Sequence, residues 1–257
     1  MPALIAHRGA SADAPENTLA AFELAWRQGA DGIEGDFRLT RDGEIVCMHD
    51  ASAERTAARA VNVAEATLAE LRQLDSGAWM ADQWRGLRIP TLGEVLATVP
   101  AGRQAFIELK CGPEIVPALE AVLAAFALPA ARIALLCFDT RVVAEAKRRL
   151  PGFRALWLTG FTTSPTTGVR PSAAEILETL EAAGADGVGC SSHAAVDQAL
   201  VETLHAAQKE VHVWTVDDVP TAERYLKLGI DSITSNRAGW LKQQLGIESA
   251  TTMSPCP

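Results

Sequence analysis

Short apolar runs alternate along the chain with longer stretches in which apolar residues recur every three or four positions, the patterns of strands and of amphipathic helices in turn. Strand-like runs fall at residues 3–7, 32–38, 104–110, 133–138, 154–158, 187–190, 211–216 and 232–235. Helical spacing occupies 18–28, 114–126, 141–150, 173–183, 197–208, 219–228 and 238–245. In the first of these helices Leu19, Phe22, Leu24 and Trp26 lie largely on one side, with Asn17 as the candidate N-cap and Gly29 as the stop. Strands alternating with helices predict consecutive βαβ units and a parallel sheet. Eight such strands in 257 residues predict a (β/α)8 TIM barrel. The phrases Gly29-Ala30-Asp31-Gly32, Gly184-Ala185-Asp186-Gly187 and Gly229-Ile230-Asp231-Ser232 each close a helix and launch a strand, and are expected to be structural turns.

The rhythm breaks once. After a strand-like run at 44–49, residues 51–90 intervene before Thr91 can cap a helix carrying Leu92, Val95 and Leu96. Loops of that length without structure of their own are uncommon, so a small, mainly helical insertion after the second barrel strand, lying over the mouth, is expected. Its best helix is 67–74, with the capping-box pair Thr67 and Glu70 and apolar Leu68, Leu71 and Leu74. Trp79, Met80 and Trp84 are expected in the insertion's own small core, the alternative being an apolar, lipid-admitting rim. Residues 1–246 are thus expected to form one TIM-barrel domain, and 247–257 read as a disordered tail.

Composition narrows the partners. A formal charge of −9, from 32 acidic and 23 basic residues, argues against nucleic acid, which requires a basic face. A few cations focused in a cleft still allow a small anionic ligand. The five cysteines, Cys47, Cys111, Cys137, Cys190 and Cys256, show no CxxC spacing and read as reduced, mostly buried thiols. The amino terminus reaches His7 without the basic start and apolar length of a signal peptide. No apolar run approaches the roughly 20 residues of a membrane span, so a cytoplasmic protein without stable membrane insertion is expected.

In a parallel barrel the carboxyl ends of the strands converge on one mouth. The first strand ends in His7-Arg8-Gly9, the second carries Glu34 and Asp36, the run after it ends in His49-Asp50, and the next barrel strand ends in Glu108 and Lys110. Glu34 and Asp36 are two apart in a strand and share a face. If that face is the barrel interior, their repulsion must be offset by a cation or by protonation. With Glu108 they make an all-oxygen set suited to one divalent cation, Mg²⁺ or Ca²⁺, whereas an outward pair or a network with Arg38 and Lys110 is the structural alternative. His7 and His49 offer a general acid and a general base. Arg8 presents a fork matched to phosphate oxygens, and Lys110 a second cation. A Schiff-base role for Lys110 is disfavoured, because Glu108 beside it would raise its pKa. Trp214 offers an apolar wall for a glycerol-like group. His193 and Asn236 fall on the same rim without a role that spacing assigns, while His205 reads as helix surface and His212 as strand packing.

These residues compose a signature. Ala6-His7-Arg8-Gly9-Ala10, Pro15-Glu16-Asn17-Thr18, Gly32-Ile33-Glu34-Gly35-Asp36, Leu39-Thr40-Arg41-Asp42-Gly43 and Met48-His49-Asp50 closely resemble the glycerophosphodiester phosphodiesterase family in order and spacing. Ile89 to Leu96, Ile107-Glu108-Leu109-Lys110, Val213-Trp214-Thr215-Val216 and Gly229 to Arg237 continue the likeness. The resemblance implies metal ligation by Glu34, Asp36 and Glu108, acid/base work by His7 and His49, and phosphate contacts from Arg8 and Lys110, with Glu16 and Asn17 in support. It also implies a small glycerophosphodiester as substrate, cut to glycerol 3-phosphate and an alcohol. A related phosphodiesterase acting on lysophospholipids or sphingolipids is the alternative, and a non-enzymatic binding barrel a third. Gly35, where the family usually has an apolar residue, and Cys137-Phe138, where Ser-Phe is common, are departures, and Gly35 is expected to loosen its strand.

Overall fold

The computed structural model describes residues 1–126, 128–166 and 168–247. The expected tail, apart from Ile247, lies outside them, as does Cys256. The strands are β1 (Ala3–His7), β2 (Gly32–Leu39), β3 (Ile45–Cys47), β4 (Gln104–Leu109), β5 (Ile133–Cys137), β6 (Arg154–Thr159), β7 (Thr162–Ser164), β8 (Gly168–Arg170), β9 (Gly187–Ser191), β10 (Glu210–Trp214) and β11 (Ser232–Ser235). Pairing runs β1-β11-β10-β9-β6-β5-β4-β2, all parallel, and β2 returns to β1, so the eight strands expected from the apolar runs close into a barrel. β3 folds back antiparallel on the end of β2. The helices that follow barrel strands are α1 (Leu19–Arg27), then, after the short α2 (Glu54–Ala57) and α3 (Leu68–Leu71), α4 (Leu92–Ala97), α5 (Val116–Ala125), α6 (Thr140–Arg149), α7 (Ala173–Ala183), α8 (Gln198–Ala206), α9 (Val219–Leu228) and α10 (Ala238–Gln244). None is long and apolar enough to cross a membrane.

Barrel strands are covered on both sides, which is why they read as apolar runs without strict alternation. Their outward side chains, with the inner faces of the helices, form the main core, from Leu4 and Phe22 to Val211 and Leu241. Inside the barrel Ile5, Phe106, Ala134, Leu136, Leu156 and Leu158 form a separate apolar layer. The turn phrases have a physical role. Gly29, Gly184 and Gly229 take positive φ at helix ends, and the next Asp accepts a strand N–H each time: Asp31 from Leu4 (3.1 Å), Asp186 from Ala155 (2.7 Å), Asp231 from Val211 (2.7 Å). At the same end His212 is buried between Ser232 (2.7 Å) and Glu210 (3.0 Å), in the packing role its position suggested.

Several local expectations are corrected. Thr18, not Asn17, caps α1, because Asn17 is turned to φ 58° and its side chain is engaged elsewhere. The insertion holds two one-turn helices and two 3-10 turns, and the Thr67–Glu70 capping box is present. Its core consists of Val63, Ala66, Leu71, Leu74 and Ile89 packed on Val46 and Met48. Trp79, Met80 and Trp84 lie outside that cluster; Trp79 is 42% exposed, with its indole N–H donating to the Ser76 carbonyl (3.0 Å). The β7–β8 hairpin was not anticipated, since neither strand is buried on either face. Gly35 does not interrupt β2: a Cβ there would press on Phe22 (3.1 Å), Phe37 (3.2 Å) and Cys47 (3.3 Å), so glycine makes room for these three. Four cysteines are free thiols, three of them buried.

Candidate active site

Barrel register brings the expected residues together. Parallel pairing sets His7 beside Glu34 and Asp36 beside Glu108, so side chains far apart in sequence become lateral neighbours. His7, Arg8, Glu34, His49, Glu108, Lys110 and Trp214 line one cavity of about 210 Å³ at the carboxyl end of the strands, with Leu136, Phe138, Leu158, Thr215 and Thr234 completing it. Asp36 lies fully buried beneath. No residue of 51–90 lines this cavity among the described residues. His193 is also absent from the lining; it stacks on Phe161 with ring centroids 5.2 Å apart.

One oxygen from each of Glu34, Asp36 and Glu108 falls within 4.8 Å of the other two. Burial, and then mutual repulsion, pushes Glu34 up to about 8 and Glu108 up to about 7. Burial also works against ionised Asp36, but Lys110, Arg8 and Asn17 outweigh it and hold its carboxyl below the ordinary value. Lys110 Nζ sits 3.1 Å from Asp36 Oδ1 and in contact with Glu108 Oε1, though neither oxygen receives a hydrogen bond of good geometry. Glu34 Oε1 is buried with neither a hydrogen bond nor an ion pair, while Oε2 accepts from the Arg8 backbone (3.0 Å). Three buried, incompletely satisfied carboxylate oxygens fit a hard divalent cation, and the donor set contains neither sulfur nor imidazole that would favour a softer metal.

Both cavity histidines have Nδ1 tied down. Asn236 Nδ2 donates to Asp217 (2.6 Å), which turns its Oδ1 toward His7 Nδ1 (2.7 Å) and requires the proton there, leaving Nε2 as the basic nitrogen. His49 Nδ1 donates to Asp50 (2.6 Å). Burial lowers the pKa of both imidazoles; Arg8 adds to this at His7, whereas Asp36 and Asp50 oppose it at His49.

The structure supplies the contacts of the supporting residues, which the sequence does not specify. Asn17 donates to Asp36 Oδ2 (2.8 Å) and accepts from the Asp36 N–H (3.2 Å). Arg38 faces neither a carboxylate nor the cavity: Nε and Nη2 donate to the His49 carbonyl (3.0 and 2.6 Å) and Nη1 to the Lys110 carbonyl (3.0 Å), joining the ends of β3 and β4. Its place two residues beyond Asp36 was the only available signal. Arg8, at φ 56°, lies 3.2 Å from Asp36 and donates to Glu16 (2.8 Å). On the apolar side Trp214 donates Nε1–H to the Gly189 carbonyl (3.0 Å) and meets Phe138 edge to face at 5.7 Å, leaving Phe138 49% exposed.

Residues 7–239 match the model of the glycerophosphoryl diester phosphodiesterase family. A Mycobacterium tuberculosis relative described as "probable glycerophosphodiester phosphodiesterase 1" is 34% identical over 264 residues, covering 95% of this chain and 92% of the relative. The glycerophosphodiester phosphodiesterase of Caldanaerobacter subterraneus subsp. tengcongensis is 31% identical, covering 91% and 93%. Among solved structures, an Oleispira antarctica phosphodiesterase in complex with the product sn-glycerol-3-phosphate superposes with a TM-score of 0.83 at 28% identity, covering 96% of this chain and 97% of that one. With the barrel, its acidic mouth and these likenesses in agreement, the chain belongs to the glycerophosphoryl diester phosphodiesterase family.

Proposed function

We propose that this enzyme hydrolyses small glycerophosphodiesters to glycerol 3-phosphate and an alcohol, with Glu34, Asp36 and Glu108 holding one divalent cation, Mg²⁺ or Ca²⁺. The observation that carries the reading is a single cavity edged by two Nδ1-anchored imidazoles, two cations and a carboxylate cluster with unsatisfied oxygens. The product named for the Oleispira relative supports the same substrate class. When bound, the cation would withdraw charge from the phosphoryl oxygens.

The protein's own groups supply the rest. Arg8 and Lys110 line the cavity and bind the phosphodiester's non-bridging oxygens, Arg8 through the guanidinium N–H groups that Asp36 and Glu16 leave free. Trp214 walls the glycerol side. His7 is backed by a neutral amide and His49 by a carboxylate. The carboxylate-backed ring holds a proton better, so His49 is assigned as general acid and His7 as general base. His7 Nε2 takes the proton of the attacking hydroxyl, from water or from the substrate's glycerol 2-hydroxyl. As the new P–O bond forms and the bond to the alcohol breaks, His49 delivers its proton to the departing oxygen; on the 2-hydroxyl route this leaves a cyclic phosphate, which water then opens to glycerol 3-phosphate with the two imidazoles exchanging roles. A coupled assay for glycerol 3-phosphate across a panel of glycerophosphodiesters tests this. Release that EDTA abolishes and Mg²⁺ or Ca²⁺ restores is expected. Release that ignores EDTA, or His7→Ala and His49→Ala enzymes with near-normal turnover, would overturn it.

A further inference from the structure

Residues 51–90 leave the cavity wall to others, yet one of their side chains reaches the site from behind. Arg55, on α2, donates from Nη1 and Nη2 to the two oxygens of Glu16 (2.9 and 2.7 Å) and from Nε to Asp50 Oδ2 (2.6 Å). The other Asp50 oxygen accepts a hydrogen bond from His49 Nδ1–H (2.6 Å), and Glu16 Oε1 also accepts from Arg8 Nη1 (2.8 Å). One guanidinium therefore closes the chain His49–Asp50–Arg55–Glu16–Arg8, running from the residue that assists departure of the alcohol to the residue that grips the phosphate.

Geometry makes arginine hard to replace here. Two parallel N–H groups fit one carboxylate while the third points to another, a division that a lysine ammonium on a flexible stem does not fix. Asp50 has a third of its side chain open to water, so without a second tether it is free to swing off His49. Burial pushes the Asp50 carboxyl up, but hydrogen bonds from Arg55 and His49 outweigh this and bring it to about 2. It is therefore held as an anion across the neutral range.

We infer that Arg55 is a positioning residue for the reaction: from the insertion, it locks Asp50 against His49 Nδ1 and thereby aims Nε2 of the general acid into the cavity. This rests on the assignment of His49 as that acid.

Leaving-group dependence separates such a role from a purely structural one. Glycerophosphocholine loses an alkoxide that needs a proton, whereas the p-nitrophenyl ester of glycerol 3-phosphate loses a stable phenolate that does not. For Arg55→Met, kcat on glycerophosphocholine is expected to fall about 10- to 100-fold, the usual range for residues that orient a functional group, with the p-nitrophenyl ester changed by less than about threefold. Arg55→Lys keeps the charge without the double tether and is expected to show the same selectivity at smaller size, which covers a failure of Arg55→Met to fold. Adding Arg55→Met to Asp50→Asn is expected to cost no more than about threefold beyond Asp50→Asn alone, because both act through one contact. Equal losses on both substrates in both Arg55 variants, or losses that multiply with Asp50→Asn, overturn the inference. His49→Gln is run beside them. If it shows the selectivity and the Arg55 variants do not, only the inference fails. If His49→Gln itself slows both substrates alike, the assignment of the acid fails and the inference falls with it.

Discussion

Replacing Glu34 by Gln should stabilise the metal-free enzyme while removing its hold on a cation. Glu34 is 3% exposed; Oε2 accepts the Arg8 N–H at 3.0 Å and Oε1 has no partner. Burial and the neighbouring Asp36 charge raise its carboxyl from 4.5 to about 8. For a carboxyl raised in the folded state, stability is complete below pH 4.5 and is lost as pH climbs toward 8, because the unfolded chain releases its proton across that window while the folded chain retains it. At about pH 7 roughly 2.5 units of the window have been crossed, which at about 1.4 kcal/mol per unit costs the folded state about 3 kcal/mol. Glutamine keeps the acceptor for Arg8 and never ionises. Its amide N–H₂ needs a partner, and with about 1 kcal/mol set against that, a net gain of about 2 kcal/mol remains. That corresponds to roughly 4–8 °C in Tm for a chain of this size. Urea titrations in EDTA at about pH 7 should give Glu34→Gln the higher midpoint, with the gap closing toward about pH 5. Excess Mg²⁺ or Ca²⁺ should reverse the order, since only the wild type gains by mass action. A lower midpoint for Glu34→Gln in EDTA near neutral pH, or a gap that widens on acidification, refutes the reasoning.

Asn17→Ala should weaken divalent-cation binding about 10- to 100-fold by calorimetry, because Asp36 loses the amide that orients its carboxylate. Asn17→Gly should bind as weakly yet be the more stable of the two by about 1 kcal/mol, since glycine tolerates φ 58° and alanine does not. Asn236→Ala should lower kcat by about 10- to 100-fold with KM nearly unchanged, because His7 loses the acceptor that fixes its tautomer; a change confined to KM would contradict this. Leu71→Ala should cost about 2–5 kcal/mol locally, so limited proteolysis is expected to cut within 51–90 while the barrel resists; cutting spread evenly over the chain would show that the small core is not separate.

How far the sequence carries depends on what fixes each side chain. The eight strands are legible because a strand covered on both faces must be apolar over its length. Glu34, Asp36, His7 and Glu108 are legible because strand ends in a closed parallel barrel have one shared destination, and register makes neighbours of them without further information. The β7–β8 hairpin has no such constraint. Its strands bury neither face, and Thr-rich sequence around Pro165 carries no period. The tryptophans of the insertion mislead for the converse reason: apolar character permits burial but does not dictate it, and the aliphatic side chains of Val63, Leu71 and Leu74 take the space against Val46 and Met48.

The contacts of the supporting polar residues lie beyond sequence reasoning for a different cause. Asn17, Arg55 and Asp217 act through hydrogen bonds made by loops outside the strand register, such as Arg55 with Glu16 or Asn17 with Asp36, whereas Arg38 and Asn236 stand beside Lys110 and His7 by continuation of the β2–β4 and β1–β11 register, which by itself assigns them no bond. Composition shows that such groups need partners, and only the packed loops decide which. Asn17 illustrates the ambiguity: its place ahead of the first helix suggests a cap, but the helix starts at Leu19 and is capped by Thr18, while the Asn17 amide binds the buried Asp36 carboxylate. A cluster of charges in a low-dielectric mouth therefore reorganises the local rules around it. The residues a barrel aligns can be read from the chain, whereas those that hold them in aim are set by the electrostatic demands of the aligned set.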